Sequence, residues 1–228
     1  MNLFEFLQKA DNWHGPGGIT SLLLQHLAYT GLAVLIAALI AVPLGILIGH
    51  TGRGSFLVIG VSNAARAIPS LGLLVLVVTL LGTGTGPIVL VLAVLAVPPI
   101  LTATAAGVQG ADHEAVHAAR ALGMTGGQIV NKVEWPLALP LVISGLRSAT
   151  LQVVATATIA AFASGGALGQ LLISGQKNAD YPQMFAGALL VAALAIVLDV
   201  LLGGIGSLAG RRARPRSKTI QESVWAPA

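Results

Sequence analysis

No cysteine occurs in the chain, which excludes disulfides, thiolate catalysis and Cys-ligated metals. Charge is scarce too. Asp, Glu, Lys and Arg make 9% of the 228 residues, against about 25% in a soluble domain, and so few cannot cover a water-facing surface. There is no Gly-Lys pair, hence no P-loop to cradle a nucleotide; any ATP that drives this protein is bound by another subunit. Aromatic residues number ten (three Trp, two Tyr, five Phe), and Phe162 alone sits deep in an apolar run. A cage of rings around a quaternary ammonium group cannot be assembled from that supply. The first 20 residues lack a basic stretch followed by a long apolar one, so no cleavable signal peptide is expected.

What fills the chain is apolar. Mean hydropathy is +0.87, and Gly15–Gly52, Ala67–Ala111, Ser148–Gln176 and Tyr181–Leu198 contain no Asp, Glu, Lys or Arg. About 20 apolar residues span a bilayer as helix. The second run is long enough for two spans turning at Gly82–Pro87. Five helices are therefore predicted near 25–48, 60–81, 87–108, 141–165 and 184–207. Alternation of barrel strands is absent, and backbone groups in lipid must be satisfied internally, so the fold class is an all-α integral membrane protein.

Positive charge orients it. Arg53, Arg66, Arg120, Lys132, Arg147, Arg211, Arg212, Arg214, Arg216 and Lys218 share a side if the polar insert 112–140 is cytoplasmic; only Lys9 and Lys177 fall opposite. The N-terminus is then outside and the C-terminus inside. Segment 1–20, with Phe4, Phe6 and Trp13, reads as a short interfacial piece, 21–210 as the transmembrane domain with an inserted loop at 109–140, and 211–228 as a basic, disordered tail. That tail serves as a topology anchor and contacts lipid headgroups; nucleic acid is not among the expected partners.

The insert carries the readable function. Asp112 is placed to cap a helix over His113–Leu122. Ala115, Ala118, Ala119 and Leu122 fall on one small-residue face, suited to close docking, and Gly123 permits a sharp exit. A second short helix, about Thr125–Lys132, leads to Trp135-Pro136 and Leu139-Pro140, where the prolines are expected to reset the chain before the next span. The predicted object is a pair of short helices lying parallel to the membrane, a lever for a moving partner.

Ala118-Ala119, Gly123 and Val133-Glu134-Trp135-Pro136 fit the spacing of the "EAA" loop, and so the chain resembles the inner-membrane permeases of binding-protein-dependent ABC importers. Arg66–Gly72, Gly82-Thr-Gly84, Thr104–Gly107, Ala155–Ile159 and Gly165–Gly169 look like the osmoprotectant branch, whose cargo is glycine betaine, carnitine, choline or proline. The likeness runs from about residue 22 to 206. It implies a non-catalytic five-span permease in the bacterial cytoplasmic membrane, with the coupling loop between its third and fourth spans. It also implies partners: a dimer of ATPases that bind the ATP and Mg, a second permease (a copy or a sister chain) and an extracytoplasmic substrate-binding protein. No cofactor is expected in this chain. By the same resemblance Glu114, Ala115, His117, Ala118, Ala119, Gly123, Met124 and Pro136 couple to the ATPase. One departure stands out: His117 occupies the position of the family's Glu, and Glu114, three residues earlier on nearly the same face, can take its place. Another small solute, an amino acid or a betaine-like thiol, remains an alternative cargo.

The same residues spell His113-Glu114-Ala115-Val116-His117, an H-E-x-x-H whose two His at i and i+4 can hold zinc on a helix. An intramembrane metalloprotease is thus the reading from a different class, with Asp199 as conceivable third ligand. Against it, the motif lies in the charged insert rather than in a span, and Asp199 is not followed by Gly. Asp199 is the one intramembrane carboxylate and needs a partner; Arg147 is the cation named for it, as a structural ion pair. Asn63, Ser70, Gln152, Thr156 and Thr158 are candidate pathway residues, each with interhelical hydrogen bonding as the plainer role.

Overall fold

The computed structural model describes residues 3–54, 56, 58, 60, 62, 67–164 and 166–213. Among these there is no strand. Helix α1 covers Leu3–Gln8 and α2 Ile19–Thr51. Next come α3, Ser70–Leu81, and α4, Thr85–Gln109. The insert holds α5, His113–Ala121, and α6, Gly126–Ile129. The long α7, Trp135–Ser164, the short α8, Gly169–Lys177, and α9, Tyr181–Ala213, complete the chain.

Four helical segments among the described residues are long and apolar enough to cross a membrane: Ile19–Thr51, Thr85–Gln109, Gly126–Ala163 and Tyr181–Leu208. The span expected at 60–81 is helical from Ser70 to Leu81. Those residues reach about 18 Å, short of the hydrocarbon core of about 30 Å. The expected first half of that span, Asn63 and Arg66 included, lies largely outside the described residues. The five-span count is therefore not reached among them. Helix α8 was not anticipated at all.

The bundle is organised on α4, two thirds of whose apolar window is buried against 22% for α2 and 17% for α9. Water does not drive helices together inside lipid, so close packing must. Helix α2 meets that need with a stripe of small residues at every fourth position: Ala33, Ala37, Ala41, Gly45 and Gly49, all buried. At Gly45 a Cβ would lie 2.6 Å from the Thr104 Cβ, and at Gly49 one would lie 2.5 Å from that of Val108. A side chain at either position would force the two backbones apart. On the other side, exposed Leu35, Leu39, Leu47, Ile196 and Val200 form the apolar exterior that lipid solvates.

The N-terminal segment is anchored. Phe6 is buried with Ile19, Leu22 and Leu168, and the Trp13 indole N–H donates to the Leu7 carbonyl at 2.7 Å. A second tie uses His26, which is fully buried. Its Nε2 donates to the Val154 carbonyl at 3.2 Å, and its Nδ1 accepts from the Leu168 N–H at 3.3 Å. One side chain thereby joins α2, α7 and the start of α8.

Candidate functional site

Two places concentrate the polar chemistry: the elbow at 112–136 and a cleft between α4 and α7. The elbow is built by local rules. Asp112 caps α5, accepting the Glu114 N–H at 2.8 Å. The helix ends in a Schellman arrangement, with the Gly123 N–H on the Arg120 carbonyl at 2.9 Å and the Met124 N–H on the Ala119 carbonyl at 3.1 Å. Gly123 takes φ +79°, a conformation that a side chain would strain. Thr125 and Gln128 then form a capping box that opens α6.

From there the chain does not restart at the prolines, as the sequence suggested. Residues 126–163 form one continuous helical rod. Its α-helical turns are interrupted by a π turn over Val130–Glu134, where the Trp135 N–H reaches back to the Val130 carbonyl. Pro136 has no N–H to give and crowds the carbonyl four residues before it. A wider π turn just ahead of it absorbs that misfit without ending the helix. The second short helix is thus the leading end of the α7 rod itself, and the lever has one free arm, α5.

That arm is fixed to the rod. Val116 and Ala119 are buried with Ala111 and Ile129, and Met124, Val133 and Leu137 pack against them. Glu134, buried within the π turn, meets the end of α2: His50 Nδ1 lies 2.7 Å from its Oε2. The four-residue face expected for docking is split. Ala119 is buried and Ala115 half-buried, while Ala118, Ala121 and Leu122 are exposed beside Glu114 and His117. Leu122 is 80% exposed, an isolated apolar side chain on a polar segment. Behind α5 a cleft of about 400 Å³ is lined by His50, His113, His117, Arg120 and Glu134. Among the described residues no group of three His, Cys, Asp or Glu is arranged to hold a metal ion. Asp199, the third zinc ligand considered, is engaged elsewhere.

Its partner is Arg147. The guanidinium grips the carboxylate through Nε to Oδ1 and Nη2 to Oδ2, a bidentate fork joining α7 to α9. The pathway candidates, by contrast, are dispersed. Gln152 lines the α4–α7 cleft. Thr156 is buried with its hydroxyl on the Gln152 carbonyl. Thr158 faces an apolar crevice against α8 and α9 and bonds the Val154 carbonyl. Ser70 opens α3, and Asn63 lies outside the described residues.

The α4–α7 cleft has a volume of about 470 Å³, within the range of small-molecule sites. Pro98 and Pro99 lie inside α4 and withhold two N–H groups, leaving the carbonyls of Val94 and Leu95 without helical donors. Gln152 repairs one of these, donating Nε2 to the Leu95 carbonyl at 3.1 Å. The sequence showed the double proline but not which side chain would answer it. At the opposite end from the elbow, where α2 begins, a larger cleft of about 880 Å³ is lined by Ser21, Gln25, Tyr29, Thr83, Thr85 and Gln170.

Known proteins agree on what kind of chain this is. Residues 41–214 match the family described as binding-protein-dependent transport system inner membrane component. The osmoprotectant import permease protein OsmW of Salmonella typhimurium is 37% identical over 191 residues, covering 82% of this chain and 89% of that one. The choline transport system permease protein OpuBB of Bacillus subtilis is 34% identical over 178 residues, covering 78% and 82%. Carnitine transport permease protein OpuCD of Listeria monocytogenes is 34% identical over 182 residues, covering 79% and 82%. The fold matches that of the MetNI methionine ABC transporter in an inward-facing form, with TM-score 0.71 and 24% identity over 82% of this chain and 93% of that one. The chain belongs to the family of binding-protein-dependent transport system inner membrane components. It is a multi-pass, non-catalytic permease subunit of an ABC importer, a class that works with an ATPase and a substrate-binding protein.

Proposed function

From that membership we propose that the chain carries a small osmoprotectant, of the glycine betaine, choline, carnitine or proline kind, across the bacterial cytoplasmic membrane. The N-terminus lies outside and the C-terminus inside. Its partners are a dimer of ATPases, which bind the ATP and Mg, a second permease and an external binding protein. The cargo class is supported by relatives whose names give osmoprotectant, choline and carnitine. The wide cleft at the start of α2 then opens outward, where the binding protein delivers cargo.

The observation that carries the mechanism is the joint between α5 and α7. Glu114, Ala118, Gly123 and exposed Leu122 present one surface to an ATPase, with His117 beside Glu114. Ala115, Ala119 and Met124 face inward onto the rod that holds Pro136. Because α5 is packed on Ile129, Val133 and Leu137, a push on it displaces α7, the helix bearing Gln152 and the pathway. ATP-driven closure of the ATPases is thereby converted into alternating access, with selectivity for cargo set mainly by the binding protein.

The test is Gly123→Pro. Proline cannot adopt φ +79° and has no N–H for the Arg120 carbonyl. The chain should still insert, because the change lies outside every span, but ATP hydrolysis should no longer drive uptake of radiolabelled glycine betaine into vesicles holding the whole complex. Full uptake by this variant would refute the lever.

A further inference from the structure

Most hydroxyls in the spans are occupied by their own helix. Those of Thr102, Thr150, Thr156 and Thr158 each donate to the carbonyl four residues before them. Ser144 and Ser148 make no such bond. Both line the α4–α7 cleft together with Gln152, and all three are exposed. Their spacing of i, i+4 and i+8 puts them in one row, about 12 Å long. A row of unpartnered hydroxyls facing hydrocarbon is costly, so this face meets water, cargo or another protein. Opposite it, Ser62 lies 2.5 Å from the Thr102 hydroxyl, which in turn donates to the Pro98 carbonyl at 2.8 Å. Among the described residues that line the cleft none is charged.

We propose that this cleft is the subsite that holds cargo inside the membrane, and that it takes a zwitterion rather than a simple cation. The proposal rests on the transport reading above. Ser144 and Ser148 supply O–H donors to a carboxylate, and Gln152 keeps one amide proton and its Oε1 for the same purpose. Leu95 lines the cleft too, and its carbonyl, left without a helical donor by Pro99 and taken on one lone pair by Gln152, has a second lone pair to serve as the negative end of a dipole for a quaternary ammonium group. A cargo with no net charge needs no counter-ion from this uncharged described lining. A lone cation would need a carboxylate to offset its lost hydration, and the described residues that line the cleft include none.

The absence of cysteine makes the test direct. Ser144→Cys and Ser148→Cys are made singly, with Leu39→Cys, 68% exposed on the apolar exterior, as reference. Each complex is reconstituted in vesicles and treated with the neutral, water-soluble thiol reagent iodoacetamide, and the mass gain of this chain is followed. Thiolate is the reacting form, and each unit of pKa elevation in an apolar setting removes about nine tenths of it. Cleft positions should therefore react at least about tenfold faster than the reference. Glycine betaine should slow them, and choline at the same concentration should not. Equal reactivity with the reference means the face is sealed by another chain and overturns the subsite. So does reactivity that glycine betaine leaves unchanged. Equal protection by choline overturns the preference for zwitterions. Uptake of labelled glycine betaine by the unaltered complex is measured alongside. Its absence refutes the cargo reading, whereas uptake without protection refutes the subsite alone.

Discussion

Replacing His50 by Ala isolates the contact that ties the elbow to α2. Glu134 is 5% exposed, and His50 reaches it at 2.7 Å. Removing one partner of a buried polar pair leaves the other unsatisfied, at about 1–3 kcal/mol for a neutral group and about 3–5 kcal/mol for a charge. The two ranges meet at about 3 kcal/mol. In a chain of this size that corresponds to a fall in Tm of about 6–12 °C. The assay is heating of a fluorescent fusion in mild detergent, followed by size-exclusion chromatography of the surviving monodisperse fraction. The combined variant His50→Leu with Glu134→Leu removes both polar groups and should recover most of the loss, since apolar replacement of a whole buried pair is close to neutral. A single variant that melts with the parent to within about 1 °C, or a double variant as damaged as Glu134→Leu and His50→Leu combined, would show that the pair does not hold the joint.

Other outcomes follow from the packing. Gly49→Val drives a side chain to within 2.5 Å of the Val108 Cβ and 2.9 Å of the Ala105 carbonyl. It should cost at least about 3 kcal/mol, the upper end for overpacking, and be visible as lost monodisperse protein. Gly31→Val on the same helix meets nothing within 4 Å and should behave as the parent in the same assay. Leu122→Glu changes an 80% exposed side chain, so thermal stability should hold to within about 0.5 kcal/mol; recovery of the ATPase on affinity-purifying this chain should fall sharply. Undiminished recovery would remove Leu122 from the docking face.

How much could be read from the residues alone follows from scarcity and locality. Spans are legible because a run without charge admits few other fates, and the caps at Asp112 and Gly123 are legible because they need only neighbouring residues. Arg147 and Asp199, 52 positions apart, could be paired on paper because each is a lone charge among apolar residues and has almost no other partner to find. His50 and Glu134 are 84 apart. They escaped because Glu134 sits in the charged insert, where candidates for every group are plentiful. Helix α8, nine residues long, is too short to register as a span and too apolar to look like a loop. The continuity of α7 through Pro136 was hidden for a different reason. Proline rules describe an α-helix, and the chain avoids the conflict by changing to a π turn, an option that depends on Glu134 and Ile129 being held from the side. The same contacts that conceal the rod from sequence make it stiff, and stiffness is what lets a displacement of α5 arrive at Ser144, Ser148 and Gln152 instead of dissipating at the prolines.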